Sequence, residues 1–105
     1  MKAVTYTRVS TAGQVQDGVS LEMQQSKLRA WAALHDAEIV GEFTDEGLSG
    51  ATMGRSGLQT ALDLAIKHKA ALVVYSLSRL SRSVRDTLTI AELVRKAGAD
   101  LASLS

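Results

Sequence analysis

Ala70-Ala71-Leu72-Val73-Val74-Tyr75 is an unbroken apolar run rich in β-branched residues, bounded by Lys69 before it and Ser76 after it. A strand with no polar side must be covered on both faces, which makes it an interior strand of a parallel sheet. Parallel strands need long crossovers, usually helical, so the flanking sequence has to supply helices. It does so on both sides.

Upstream, Leu58, Ala61, Leu62 and Ala65 recur at helical spacing, and Ser56 with Gln59 forms a capping-box pattern at the start of that helix. Before it, Ile39 to Phe43 has strand character and Thr44 to Gly50 has loop composition. A phosphate-loop reading of Gly47 to Ser56 fails, because the glycine spacing is wrong and Arg55 stands where lysine belongs. Arg55 instead precedes a helix N-terminus, where it and the first amides suit an anion; a solvated loop arginine is the plainer reading. Further upstream, Ser20 caps a helix expected to run to about Ala37, with Leu21, Leu28 and Trp31 as its buried stripe. Gln24 falls on that stripe, either as a rim glutamine facing water or as a hydrogen-bonding group aimed at a site. The first strand, Ala3 to Thr7, leads to Arg8 and Ser10, after which Ser10 to Gly18 has the composition of a mobile loop.

Downstream, Arg79, Arg82 and Arg85 recur at intervals of three between Ser76 and Arg85. If that segment is helical, the arginines share a face while Leu80 and Val84 turn inward. Cations at the start of a helix oppose the macrodipole, a local conflict characteristic of functional sites; the plainer reading is a solvated helix start. A last helix, Val84 to Ala97, carries Leu88, Ala91 and Val94 as its inner face and stops at Gly98, and Leu101 to Leu104 begins a further strand. The fold expected is therefore α/β: an open, mostly parallel sheet of about four strands with helices on both faces, flavodoxin-like in layering.

Composition narrows the function. The 105 residues suffice for one core, so a single domain is expected over 1–105. Net charge is only +1, yet residues 11–50 hold seven acids against two bases while 55–85 hold six bases and one acid. That asymmetry points to an anionic partner met by the second half of the chain. There is no cysteine, hence no disulfide, thiolate or cysteine metal site, and a reducing, cytoplasmic location is expected. No apolar run reaches membrane-spanning length, so no membrane partner is expected.

Sites in parallel sheets gather beyond the carboxyl ends of the strands. That rule assembles Arg8 and Ser10 from the first strand, Asp45 and Ser49 from the second, and Arg79 and Arg82 from the third. A serine among arginines, with no histidine or carboxylate cluster, suits attack on a phosphodiester better than attack on an acyl group. Guanidinium groups stay protonated and match the spread negative charge of a phosphoryl transition state. One such donor is worth roughly 2.7–4 kcal/mol where an oxyanion contact has been removed, so several arginines can replace a metal. No metal or other cofactor is expected. His35 and His68 fall near helix C-terminal ends, where imidazolium complements the dipole.

Tyr6-x-Arg8-Val9-Ser10, Ser20-Leu21-x-x-Gln24, Asp45-x-Gly47-x-Ser49-Gly50 leading to Arg55, and Ser78-Arg79-Leu80-x-Arg82-Ser83 occur in one order. In that order and spacing the chain resembles the catalytic domain of the serine recombinases, the resolvase/invertase family, over essentially its whole length. The resemblance implies a site-specific DNA recombinase in which Ser10 attacks a phosphodiester, forms a covalent 5′-phosphoserine and later rejoins strands by the reverse reaction. It assigns Arg8, Arg79 and Arg82 to phosphate binding and transition-state stabilisation, Arg55, Gln24 and Ser49 to the substrate phosphate, and Tyr6 and Asp45 to support. The partners it implies are double-stranded DNA and further copies of the chain, as dimer and tetramer, with no small-molecule substrate.

Two departures stand out. The family often has aspartate where this chain has Ser78, so no carboxylate is expected to move protons there. Family members also continue into a long oligomerisation helix and a DNA-binding region, and residues 1–105 are expected to be the catalytic core of such a longer protein. The competing function is a non-catalytic phosphate- or nucleotide-binding α/β module, which would use the arginines without Ser10. A serine esterase would need an activating base and usually a nucleophile elbow, and the sequence offers neither.

Overall fold

The computed structural model describes residues 1–9, 15–16, 19–46, 56–80 and 83–104. In chain order the elements are β1 (Lys2–Val9), β2 (Val15–Gln16), β3 (Val19–Ser20), α1 (Leu21–Leu34), β4 (Glu38–Glu46), α2 (Ser56–His68), β5 (Ala71–Val74), α3 (Leu77–Leu80), α4 (Val84–Lys96) and β6 (Asp100–Ser103). Four parallel strands form one sheet in the order β4-β1-β5-β6. As expected from its apolar run, β5 is interior and buried along its whole length.

The period of two along β1 sends its side chains to two different cores. Val4 and Tyr6 join Leu72, Val74, Leu58, Ala61, Leu80, Ile90 and Val94 beneath α2, α3 and α4. Ala3 joins Ala71, Val73 and Leu28 beneath α1. Helices therefore cover both faces. Strand order reverses between β1, which is followed by β4 on one side, and β5, which is followed by β6 on the other. That reversal opens a crevice at the carboxyl ends of β1 and β5.

Four local expectations are corrected. β4 continues through Thr44, Asp45 and Glu46, because parallel pairing with Thr7, Arg8 and Val9 overrides their loop composition. Val15–Gln16 pairs antiparallel with Val19–Ser20, so part of the predicted loop is a short ribbon. α1 stops at Leu34, since Asp36 takes φ 54° and the amides of Asp36 and Ala37 bond back to the carbonyls of Ala33 and Ala32. That is a Schellman ending without its usual glycine; α4 ends the same way with Gly98 at φ 84°.

The fourth correction concerns residues 77–94. Ser83 caps α4 by accepting from the Asp86 amide at 3.2 Å, so α4 starts a new helix and Arg85 does not continue the one that holds Arg79; Arg82 lies outside the described residues. Leu80 is buried as expected, but Val84 is 75% exposed. Ile90 and Val94, not Leu88, dock on the sheet. Two residues correspond to roughly 200° of helix rotation, which carries Leu88 away from the face set by Ile90.

Candidate active site

Arg8 lies near the carboxyl end of β1, one strand position beyond the core on Tyr6's side, and is only 1% exposed. Burying a guanidinium is costly unless it is engaged, and any aliphatic residue would fill a core strand at lower cost. Ser10 follows Arg8 by two positions but lies outside the described residues, as do Ser49, Arg55 and Arg82. Arg79 belongs to α3, directly before the buried Leu80. Leu80 packs in the same core as Tyr6 and Val74, so α3 is anchored beside the end of β5.

Asp45 is the best-defined polar group of the region. Its register partner on β1 is Arg8, and a register shift between Ala3 and Val4 makes Val40 the extra residue of β4. With that shift Gly41, Phe43 and Asp45 pair with Val4, Tyr6 and Arg8 and share their face; without it Thr44 would stand opposite Arg8. Asp45 Oδ2 accepts from Tyr6 Oη at 2.8 Å and from the Leu58 amide at 3.1 Å, and Oδ1 accepts from the Gly57 amide at 3.0 Å. The N-terminus of α2, which follows Arg55, is thus occupied by a carboxylate from β4. The first amides expected to receive phosphate there, those of Gly57 and Leu58, are already engaged.

Gln24 lies in the first turns of α1, whose start is fixed by Ser20 accepting from the Met23 amide at 3.1 Å. In a parallel crossover the helix returns antiparallel to the strands, which puts its N-terminal turns at their carboxyl edge. Gln24 is fully buried and neither amide atom has a hydrogen-bond partner among the described residues. The rim-glutamine reading is therefore overturned. On the same side of the sheet, Thr7 and Thr44 share a hydrogen bond of 2.8 Å.

Other polar features lie elsewhere. Arg29 on α1 makes a two-pronged ion pair with Glu42 on β4, at 2.8 and 3.0 Å. The Arg29 hydrogen bond holds the Glu42 carboxyl below its ordinary value, against a smaller desolvation effect. This pair borders an open groove of about 510 Å³ lined also by Ile39, Val40 and Gly41, along the amino-terminal half of β4. His35 caps α1, its Nδ1 2.9 Å from the Trp31 carbonyl and its ring stacked on the Trp31 indole, and His68 ends α2. Both positions are the helix ends read from sequence. Gly57 was missed there, although a glycine in the first turn of a helix is unfavourable and signals a close approach.

The strand order places a switch point at the carboxyl ends of β1 and β5, with the buried Arg8 at its edge, in an open parallel α/β domain. The description "Resolvase, N terminal domain" matches residues 3–105, and the chain belongs to that family. It is 38% identical to the N-terminal catalytic domain of TP901-1 integrase, with a TM-score of 0.88, covering 99% of this chain and 78% of that one. A resolvase family site-specific recombinase from Streptococcus pneumoniae is 36% identical, with a TM-score of 0.79 and coverage of 99% and 72%. The C-terminal catalytic domain of ISC1926 TnpA, an IS607-like serine recombinase, is 25% identical, with a TM-score of 0.84 and coverage of 100% and 68%. No curated protein matches the chain. The chain is a serine recombinase catalytic domain, an enzyme of site-specific recombination. Among the described residues no helix is long and apolar enough to cross a membrane.

Proposed function

We propose that Ser10 is the nucleophile of DNA strand cleavage and that Arg8, Arg79 and Arg82 bind the scissile phosphate and stabilise its transition state. The observation that carries this reading is Arg8: a guanidinium 1% exposed near the carboxyl end of the interior strand β1, two residues before Ser10 in the sequence. Ser10 Oγ attacks phosphorus, the bond to the 3′ oxygen breaks, and the serine proton is balanced by the one the departing 3′-hydroxyl gains. A 5′-phosphoserine remains. The reverse attack by a 3′-hydroxyl rejoins the strand, so the phosphoester bond energy is kept. Arginines suit this chemistry because they stay charged while charge moves over the phosphoryl oxygens.

Arg55, Gln24 and Ser49 contact the substrate phosphate in this reading, with Tyr6 and Asp45 in support. The buried amide of Gln24 at the carboxyl edge, with no partner among the described residues, supports its share of that role. Double-stranded DNA is the substrate and the chain works in the cytoplasm, as dimer and tetramer, joined to oligomerisation and DNA-binding segments. The test is Ser10→Ala in a recombinase carrying this domain. DNA binding with complete loss of strand cleavage is expected; cleavage that survives the substitution would refute the assignment and favour a phosphate-binding module.

A further inference from the structure

We propose that Asp45 is a positioning residue, a latch that holds β1, β4 and the start of α2 in one geometry, and that Gly57 is the residue that makes room for it. The proposal rests on the reading of Ser10 and Arg8 given above and adds to it how the edge around Arg8 is kept rigid.

Asp45 is 5% exposed, and its carboxylate receives donors from two other segments, Tyr6 of β1 and the Gly57 and Leu58 amides of α2. Charge-assisted bonds at a helix N-terminus are the strong kind, because amide donors and macrodipole act together. The register shift at Val40 is what turns this carboxylate to the side of Tyr6 and Arg8. With its oxygens so engaged, Asp45 acts through its neighbours and not on the reacting atoms.

Gly57 is a requirement of the same contact. A Cβ there would stand 2.7 Å from Asp45 Oδ1, 2.9 Å from its Cγ and 3.0 Å from Oδ2. The carboxylate hangs from a single methylene on a paired strand, so it cannot withdraw without releasing its donors. Gly57→Ala therefore breaks the latch without touching any residue assigned to chemistry. Alanine is also the better helix former, which offsets part of the loss and keeps α2 folded.

The experiment compares Gly57→Ala and Asp45→Asn with the parent recombinase on a nicked DNA substrate that traps the covalent complex. Val94→Ala, a core variant on α4 remote from the latch, serves as a control for lowered stability. All are measured well below their melting transitions. The expected result is a trapping rate at saturating DNA that falls roughly tenfold to a hundredfold in both latch variants, with DNA affinity unchanged and Val94→Ala near the parent. Parent-like trapping rates in the latch variants would overturn the proposal, as would an equal loss in Val94→Ala. A parent that forms no Ser10-dependent complex would overturn the underlying reading and the latch with it.

Discussion

Tyr6 Oη donates a 2.8 Å hydrogen bond to Asp45 Oδ2 across the β1–β4 pair, within a region where both side chains are buried. A phenol and a carboxylate thirty-nine residues apart meet because the two strands are adjacent and parallel. Removing the phenol oxygen leaves Asp45 with its amide donors from α2, so Tyr6→Phe should cost only about 1 kcal/mol. Asp45→Asn should cost more, because an amide group must face a backbone donor and leave it unmet, by about 1–3 kcal/mol. A double-mutant cycle by denaturant unfolding should show coupling between the two. Strict additivity would mean that the hydrogen bond contributes nothing.

Gln24 places function against stability. A buried amide without partners among the described residues costs about 1–3 kcal/mol. Gln24→Met keeps the length of the side chain and removes the unmet polar atoms, so its midpoint in urea should rise while covalent trapping on DNA falls. A variant that is both less stable and fully active would show that the amide has no role in the substrate phosphate site.

Asp36 offers a gain in stability remote from the site. Its φ of 54° ends α1 in a conformation that glycine adopts at no steric cost. Asp36→Gly should stabilise the domain by up to about 1 kcal/mol, read as a higher melting temperature with unchanged trapping. A lower melting temperature would contradict the account of that helix end.

Acid should remove the Arg29–Glu42 contribution. The Glu42 carboxyl is held below its ordinary value by the Arg29 hydrogen bond, so the folded state binds its proton less readily than the unfolded chain. Its stabilisation is complete above the unfolded pKa and is lost as pH falls through the folded one. The pair is exposed on the arginine side, so the effect is small and screened by salt. Arg29→Ala should be slightly less stable than the parent at neutral pH and indistinguishable from it in acid. A difference that persists in acid would assign the loss to the packing of the arginine stem.

Much of the fold was legible because the deciding segments are locally consistent. The apolar run at Ala71–Val74 allowed only an interior strand, and Ser20 announced α1 by its capping chemistry. What escaped was set by partners distant in sequence. Asp45 looked like loop until pairing with Arg8 made it strand, and the side it faces depends on a register shift that leaves no mark in composition. Asp36 stops α1 without the glycine that signals a stop. Leu88 fitted an apolar stripe, but Ile90 and Val94 won the sheet face and left Leu88 64% exposed. Within the site, the residue types and their order carried the reading, whereas the burial of Gln24 and the need for Gly57 follow only from packing.

In the proposed reaction Ser10 becomes covalently joined to DNA. The most direct measurement is mass spectrometry of the trapped complex after nuclease and protease digestion, with the polarity of the released strand scored on a gel. The expected product is a nucleotide linked through its 5′ phosphate to the peptide containing Ser10, with a free 3′-hydroxyl on the other fragment. A phosphoryl group on another residue, or a 3′-linked adduct, would contradict it.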